Sequence, residues 1–255
     1  FKKKKINFKK IRTKDIIRKK KTFFKNISVF IHLGFNFHRK RKANKSDNNL
    51  EIIKSIIKHA ENYRYKIIFP STASYKYFGS KKIISKKIYP FDKYSLSKIN
   101  CENLLVKSFK RKKIDITILR IFNVYGKNQK KGWLIPDLLN KFLERNSKIE
   151  KLKYYLNTRD FIHVSDVVIA ILKTLNLKGL NILNIGTSKE TKIIKIGKLI
   201  SKFLKSNKKL HLLDEKSKKN CMSKANIALT KKKLKWVPKV KVQTGLKEII
   251  NDKIK

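Results

Sequence analysis

The sequence has few acidic residues, few cysteines and no long apolar run, and these shortages limit the class of protein to which it belongs. Only 17 acidic residues accompany 67 basic ones, so the net charge is +50. The two cysteines, Cys101 and Cys221, provide neither a metal-binding spacing nor a disulfide framework, which favours a reducing, cytoplasmic environment. No apolar run approaches the roughly 18 residues needed to cross a bilayer, so we expect no membrane insertion.

The large basic excess raises the question of a polyanionic partner. Lysine outnumbers arginine by 58 to 9, whereas base readout and bidentate phosphate contacts favour arginine. The lysines are also spread along the whole chain. We therefore interpret most of the charge as solvated surface, which attracts nucleic acid only non-specifically at low salt. A basic nucleic-acid-binding protein is kept as the alternative from a different functional class.

The hydrophobic fraction is 41%, with 15 Phe and 9 Tyr, which is enough to build a core. Short apolar runs alternate with segments of helical periodicity. We predict strands within 27–36, 65–74 and 114–126, and helices over 49–63 and from Tyr94 to about residue 111. This alternation predicts an α/β fold with a doubly wound parallel sheet, whose ligands lie beyond the carboxyl ends of the strands.

Polar side chains collect where the predicted strands end. Ser71 and Thr72 close one strand, and Asn123 closes the next. Tyr94 and Lys98 open the helix between them and are four residues apart, so both project from one helix face. An ammonium beside a phenol lowers the pKa of the phenol, which would suit an acid/base catalyst. Taken alone, however, a Y-x-x-x-K pair arises by chance in a chain this rich in lysine.

The order of several short motifs is more specific than any one of them. The motifs are VFIHLGF, IIFPSTAS, YSLSK, LRIFNVYG, RDFIHVSDVV, NILNIGT and LKWVPKVKVQTGL. In this order the chain resembles an extended short-chain dehydrogenase/reductase of the NAD-dependent epimerase/dehydratase family, whose members modify nucleotide sugars. The resemblance covers nearly the whole chain. It implies a Rossmann-like fold, NAD or NADP as the cofactor, a nucleotide-sugar substrate and a role in surface polysaccharide assembly.

The resemblance implies a catalytic role for three residues. Tyr94 would be the acid/base residue. Lys98 would hold the nicotinamide ribose hydroxyls and lower the pKa of the tyrosine. Thr72 would hydrogen-bond the sugar oxygen that loses or gains the proton.

The resemblance also implies residues that bind the cofactor and the substrate. Besides the catalytic three, the cofactor would contact Asp15, Leu33, Gly34, Phe35 and Phe122. The substrate would contact Thr72, Asn123 and Arg159, the last through a bidentate contact with the diphosphate. A plain surface position is the alternative for Asp15 and Arg159, and no metal site is expected.

Three further polar residues are expected to be structural. We interpret His163 as a packed or capping histidine and Asp160 as a hydrogen-bond acceptor. Asp166 is predicted to be the N-cap of the following helix.

The predicted boundaries separate two lobes. Residues 1–126 and 157–186 would form an incomplete dinucleotide-binding domain, and residues 127–156 and 187–255 a smaller C-terminal substrate lobe. In the full-length form, the family's habit predicts a homodimer through the helix that starts at Tyr94.

Two departures from the family's pattern limit these expectations. None of the eight glycines forms a G-x-x-G-x-x-G phosphate cradle, so we expect the Rossmann-like domain to lack its first βαβ unit, roughly the first fifty residues. The acidic pair that follows the threonine in 4,6-dehydratases is replaced by Ala73 and Ser74. Without that acid, epimerisation or reduction is favoured over loss of water. An inactive, truncated member of the family is the third hypothesis.

Overall fold

The computed structural model describes residues 7, 9–17, 23–35, 48–73, 75–77, 88–90, 92–144, 149–153, 155–213 and 224–254. The chain divides into two compact units. The first unit comprises Phe1–Ile118 and Leu177–Ile182, and the second unit comprises Leu119–Asn176 and Leu183–Lys255. The lobe boundaries expected from the sequence concern ligand-binding roles and stay a prediction.

The described residues alternate between strands and helices. The helices are α1 (Asn49–Tyr63), α2 (Lys93–Lys112), α3 (Leu134–Leu143), α4 (Val164–Lys173), α5 (Ile193–Phe203), α6 (Ala228–Leu234) and α7 (Val242–Ile254). The strands are β1 (Val29–Ile31), β2 (Lys66–Thr72), β3 (Tyr75–Tyr77), β4 (Ile88–Pro90), β5 (Ile116–Ile121), β6 (Asn123–Tyr125), β7 (Ile149–Lys153), β8 (Thr158–Arg159), β9 (Phe161–His163), β10 (Leu180–Ile185), β11 (Thr191–Lys192) and β12 (Lys209–Leu213). Within these described segments, no helix combines the length and hydrophobicity that a bilayer crossing requires.

The largest sheet has four strands in the order β1-β2-β5-β10. β1 and β2 pair in parallel, with Val29 opposite Lys66. Nearly continuous apolar runs are typical of parallel strands that are buried on both faces, and β2 and β5 have this composition. The arrangement confirms the predicted α/β class and its parallel sheet.

The core of the first unit lies around α1 and the strands beside it. Ile52, Ile53, Ile56 and Ile57 recur at helical spacing and are all buried, which is why 49–63 forms an amphipathic helix. The helix ends at Arg64, whose backbone is left-handed and whose N–H bonds Ala60 O. Periodicity in the sequence therefore sets both the helix and its buried face.

The strand β2 runs further than its apolar run suggests. It continues through Pro70 to Thr72, although proline lacks the N–H that a sheet ladder uses. The pairing with β1 ends at Ile68, where His32 N donates to Ile68 O. The missing N–H of Pro70 therefore removes no hydrogen bond from that pairing, and the strand extends to the hydroxyl residues.

The second unit has its own core, with small sheets around it. Its helices α3, α5 and α7 bury apolar residues such as Leu139, Ile196 and Ile250. The strand pairs are β6 with β9 and β7 with β12, both parallel, and β8 with β11, antiparallel. The pairing of β6 with β9 brings Asn123 opposite Phe161.

Two buried aspartates tie loops together in the second unit. Asp160 accepts hydrogen bonds from Thr187 N at 2.7 Å and from Ala225 N at 3.1 Å, which confirms its structural role. The prediction that Asp166 caps α4 is wrong. Asp166 lies inside the first turn and accepts from the N–H groups of Lys239 and Val240, each at 3.0 Å. His163 is the N-cap, because its ring accepts a hydrogen bond from Ser165 N.

Candidate active site

The helix that carries Tyr94 and Lys98 starts at a reciprocal cap. Asp92 has an extended backbone, and its carboxylate accepts from Ser95 N at 2.7 Å. The Ser95 hydroxyl accepts in turn from Asp92 N at 3.0 Å. Because the cap fixes the first turn, Tyr94 and Lys98 occupy the same side of α2, and the Lys98 Nζ lies 5.9 Å from the centroid of the Tyr94 ring.

The ammonium of Lys98 is enclosed by aromatic rings and one carbonyl. Its Nζ donates to Pro70 O at 2.7 Å and lies 3.7 Å from the Phe35 ring centroid and 4.5 Å from that of Phe69. Only 4% of the residue is exposed. Burial lowers the pKa of Lys98 to about 7, although Cys101 and Glu102 act in the opposite direction. A lysine that titrates near neutral pH can exchange a proton under ordinary conditions.

Tyr94 behaves differently from the expectation for a phenol beside a lysine. Burial, and then the negative charge of Asp92, raise the pKa of Tyr94 to about 12. Burial disfavours the charged phenolate, and the carboxylate that caps the helix repels it. The lysine ammonium points to Pro70 O, and its attraction does not outweigh these two effects.

Thr72 lies where the sequence predicted it, at the end of a strand. It is the last residue of β2, is buried, and stands two residues beyond the carbonyl that binds Lys98. Ser71 beside it is buried as well. The structure thus places the hydroxyl residues and the lysine at one end of β2.

The segment Leu33–Phe35 follows β1 and contributes one ring to the site. Phe35 meets Tyr94 edge to face, with ring centroids 5.6 Å apart. Leu33 is 70% exposed and takes no part in this cluster. Gly34 packs so closely on Thr13 that a Cβ would overlap the threonine hydroxyl. A larger residue at position 34 would therefore require the Thr13 side chain, in the 3-10 turn Thr13–Asp15, to move.

Asp15 ends that 3-10 turn. Its carboxylate accepts from Arg12 Nε at 2.7 Å, a short-range ion pair at an exposed site. Asp15 is therefore held in place by its own turn, next to the segment that contains Gly34.

The remaining expected site residues belong to the second unit. Phe122 is buried directly after β5, and its N–H bonds Ile185 O at 2.9 Å. Asn123 donates to Asp160 O from both its backbone N–H and its side-chain amide, at 3.0 and 3.3 Å. Arg159, in β8, immediately precedes Asp160 and lies opposite Thr191 of β11 in the antiparallel strand pair. The second unit thereby brings Asn123 close to the segment that contains Arg159.

Sequence reasoning missed the rings and carbonyl around the lysine. Phe69 and Pro70 read only as the end of an apolar strand, and nothing local shows that Lys98 reaches them. His32 directly follows β1. It is buried, stacks on Phe69 at 6.0 Å, and its Nε2 finds no hydrogen-bond partner among the described residues. Burial, and then Lys98, lower the pKa of His32 to about 4, so the ring is neutral at pH 7.

Comparison with protein families gives a match over most of the chain. Residues 2–186 match the sequence model of the NAD dependent epimerase/dehydratase family. A provisionally named UDP-glucose 4-epimerase of Methanocaldococcus jannaschii is 27% identical over 254 residues, covering 94% of this chain and 81% of that protein. UDP-glucuronic acid decarboxylase 6 of Arabidopsis thaliana is 26% identical over 189 residues, covering 73% of this chain. The chain spans 53% of the length of that second relative.

Solved structures resemble most of the chain. UDP-glucose 4-epimerase of Thermotoga maritima, solved with UDP-glucose, has a TM-score of 0.82 at 22% identity, covering 95% of this chain and 82% of that one. UDP-glucuronic acid 4-epimerase of Bacillus cereus, solved with UDP-glucuronic acid and NAD, has a TM-score of 0.79 at 22% identity and covers 94% of this chain and 81% of that one. At these identities, the likeness establishes the fold.

Proposed function

Because the chain belongs to the NAD dependent epimerase/dehydratase family, we propose that it epimerises or reduces a nucleotide sugar, with NAD or NADP as the hydride carrier. The names of the relatives support a nucleotide-sugar substrate, since the two above act on UDP-glucose or UDP-glucuronic acid. A structural relative with bound NAD supports the cofactor. The site residues of the first unit support the acid/base part of the reaction.

Three residues carry the proton chemistry in this proposal. Tyr94 takes a proton from a sugar hydroxyl, or returns it, as the carbon beneath is oxidised or reduced. Thr72 holds that oxygen by a hydrogen bond. Lys98, when charged, favours phenolate and offsets part of the effects of burial and of Asp92.

The N–H donors of the Lys98 ammonium suit the ribose hydroxyls of a dinucleotide. An ammonium has three N–H donors, and the bond to Pro70 O uses one of them. A bound nicotinamide would supply hydride transfer at the sugar carbon. We propose that Asp15, Leu33, Gly34, Phe35 and Phe122 contact the cofactor and that Asn123 and Arg159 bind the substrate diphosphate.

The residues after Thr72 favour epimerisation or reduction over dehydration. Ala73 carries no acid, and Ser74, which lies outside the described residues, is not an acid either. Loss of water requires a proton for the departing hydroxyl. The product expected from a 4-ketose intermediate is therefore the reduced sugar or its 4-epimer.

One observation carries the proposal: Tyr94 lies one helical turn before Lys98 on α2. Lys98 is buried near the end of β2 and has a pKa of about 7. The test is turnover of UDP-sugars followed by proton NMR, with the protein expressed together with whatever its gene encodes before Phe1. Tyr94→Phe should lower kcat about 100- to 10,000-fold, and Thr72→Val about 100-fold. The matched control is Tyr63→Phe, a partly buried phenol at the end of α1. Wild-type turnover by Tyr94→Phe would overturn the assignment.

The 255 residues by themselves should bind a dinucleotide weakly or not at all. They contain no G-x-x-G-x-x-G turn, whose backbone N–H groups would receive the pyrophosphate. Fluorescence titration of the purified chain with NADH measures this directly. A dissociation constant in the micromolar range would contradict the expectation.

We further propose that the active form is a cytoplasmic homodimer that pairs through α2. Support comes from Leu96 of α2, which is exposed although apolar. Light scattering of wild type and Leu96→Glu checks the assembly, with Lys107→Glu on the same helix as the control. A monomer in both proteins would exclude the dimer.

A further inference from the structure

The ring of Phe35 contacts both members of the Tyr94–Lys98 pair. Its face lies 3.7 Å from the Lys98 Nζ, closer than the face of Phe69 at 4.5 Å. The Phe35 ring also makes a T-shaped contact with the Tyr94 ring, with the two centroids 5.6 Å apart. Phe35 is therefore the one described residue that touches both side chains by these ring contacts.

A buried ammonium needs compensation for the water that it has lost. The bond to Pro70 O satisfies one N–H of Lys98. The faces of aromatic rings carry negative charge density, and an ammonium within about 6 Å of a ring centroid is attracted to it. Both Phe35 and Phe69 lie within that distance, so the two rings supply attraction that an aliphatic wall would not.

We propose that Phe35 is a positioning residue that holds the Lys98 ammonium, in its charged form, against Pro70 O and beside Tyr94. The consequence for catalysis rests on the proposed function, since it requires Tyr94 and Lys98 to be the acid/base pair. The effect of the ring on the lysine does not rest on it. Phe35 thus acts through Lys98, in addition to any contact with the cofactor.

The other groups that face Lys98 do not account for the same effect. His32 is neutral at pH 7 because its pKa is lowered to about 4, and it adds no charge. Cys101 and Glu102 favour the charged lysine from α2 itself, and a substitution at position 35 removes neither group. Tyr94, with a pKa of about 12, is neutral as well. Substitution at position 35 therefore isolates the contribution of the ring.

The experiment is an NMR titration of the full 255-residue chain labelled with carbon-13 at the lysine Cε. The Lys98 signal is identified by its loss in Lys98→Met. Wild type should titrate near the Lys98 pKa of about 7. Phe35→Leu keeps an apolar side chain without a ring, and its lysine should bind the proton about tenfold more weakly. Phe35→Tyr, which keeps the ring, should restore the wild-type midpoint.

Two controls separate this effect from loss of packing. Phe30→Leu removes another buried ring of the first unit, one that packs on Phe24 and Tyr65, and should leave the midpoint unchanged. If Phe35→Leu does not fold by circular dichroism, Phe35→Met is titrated with the same criterion. An unchanged or raised midpoint in the folded variant would overturn the proposal. The titration needs neither cofactor nor turnover, so an active Tyr94→Phe would overturn the proposed function and leave this result intact.

Discussion

Two buried lysines of the first unit and two buried aspartates of the second unit are held by different kinds of partner. In the first unit, Lys66 and Lys98 are buried, and each donates to a backbone carbonyl, Leu177 O at 2.6 Å and Pro70 O at 2.7 Å. In the second unit, Asp160 and Asp166 are buried, and each accepts at least two backbone N–H groups. A buried charge with several hydrogen bonds ties loops together, whereas one with few is poised to change protonation state.

The pKa values follow the same division. Burial lowers the pKa of Lys98 to about 7 and that of Lys66 to about 8, even though Asp115 opposes the second shift. Desolvation therefore outweighs the local compensation at both lysines. At both lysines, incomplete compensation of a buried ammonium brings the pKa down toward neutral pH.

The largest effect is expected at Asp160. Asp160→Asn replaces an acceptor of N–H groups by a side chain that is half donor, leaving Thr187 N or Ala225 N unsatisfied. The free energy of unfolding should fall by about 2–4 kcal/mol, measured by urea denaturation. The control is Asp252→Asn, which removes an exposed ion pair with Lys127 and should cost under about 1 kcal/mol. Equal losses of unfolding free energy in the two variants would contradict the contrast between the buried, hydrogen-bonded carboxylate and the exposed one.

Substitution of Lys98, unlike that of Asp160, is not expected to lower the free energy of unfolding substantially. Lys98→Met removes a poorly compensated charge, so stability at pH 7 should stay within about 1 kcal/mol of wild type or rise. The pKa of Lys98 is about 7 in the folded chain and 10.5 ordinarily, so the unfolded chain binds more protons between these values. Wild-type stability should therefore rise with pH across that window, and the variant should lack this rise.

Urea denaturation at several pH values from 6.5 to about 9 measures the difference between the two proteins. Lys107→Met, an exposed change on the same helix, should follow wild type at every pH. A stability loss in Lys98→Met as large as that in Asp160→Asn would show that the lysine is a structural tie after all.

A smaller effect is expected at Lys66. Its pKa of about 8 is closer to the ordinary 10.5, and Asp115 compensates part of its charge. Lys66→Met should remove a smaller total rise in stability, confined to the range between pH 8 and 10.5. The same denaturation series, extended to about pH 10.5, checks it, with Lys54→Met on the exposed side of α1 as the control. A total rise larger than that of Lys98 would reverse the ranking of the two lysines.

The smallest effect should follow from exchanging any one exposed lysine. With 67 basic residues, the chain should bind random DNA at low salt, and the affinity should fall steeply between about 50 and 200 mM salt. Replacing Lys107 or Lys54 by Met should change that binding only slightly. Salt-resistant binding measured by fluorescence anisotropy would instead favour a dedicated nucleic-acid face.

Much of the fold could be predicted from local pattern. The helix over 49–63 was predicted with its observed bounds, because a run of isoleucines at helical spacing leaves little choice. The helix from Tyr94 follows from its cap and apolar face. Strand pairs such as β8 with β11 involve two residues each, and no periodicity marks so short a pairing.

For the candidate site, the positions of the residues on strands and helices were predictable, and their electrostatics were less so. Thr72, Tyr94 and Lys98 were located from motif order, since each sits where a strand or helix starts or ends. The protonation preferences were not accessible, because they depend on Phe35, Phe69 and burial, which are set by tertiary packing. Asp166 was mistaken for a cap for the same reason, because its partners lie more than seventy residues further along the chain.

The cap at the start of α2 links the fold to acidity through a single residue. Serine or asparagine could hold the same first turn without a charge. With aspartate at position 92, the carboxylate that decides where the helix begins also makes the neighbouring phenol harder to ionise. The same aspartate therefore fixes the start of the helix and raises the pKa of the proposed acid/base residue. Any ligand that draws the Asp92 charge away would tune the chemistry without touching Tyr94.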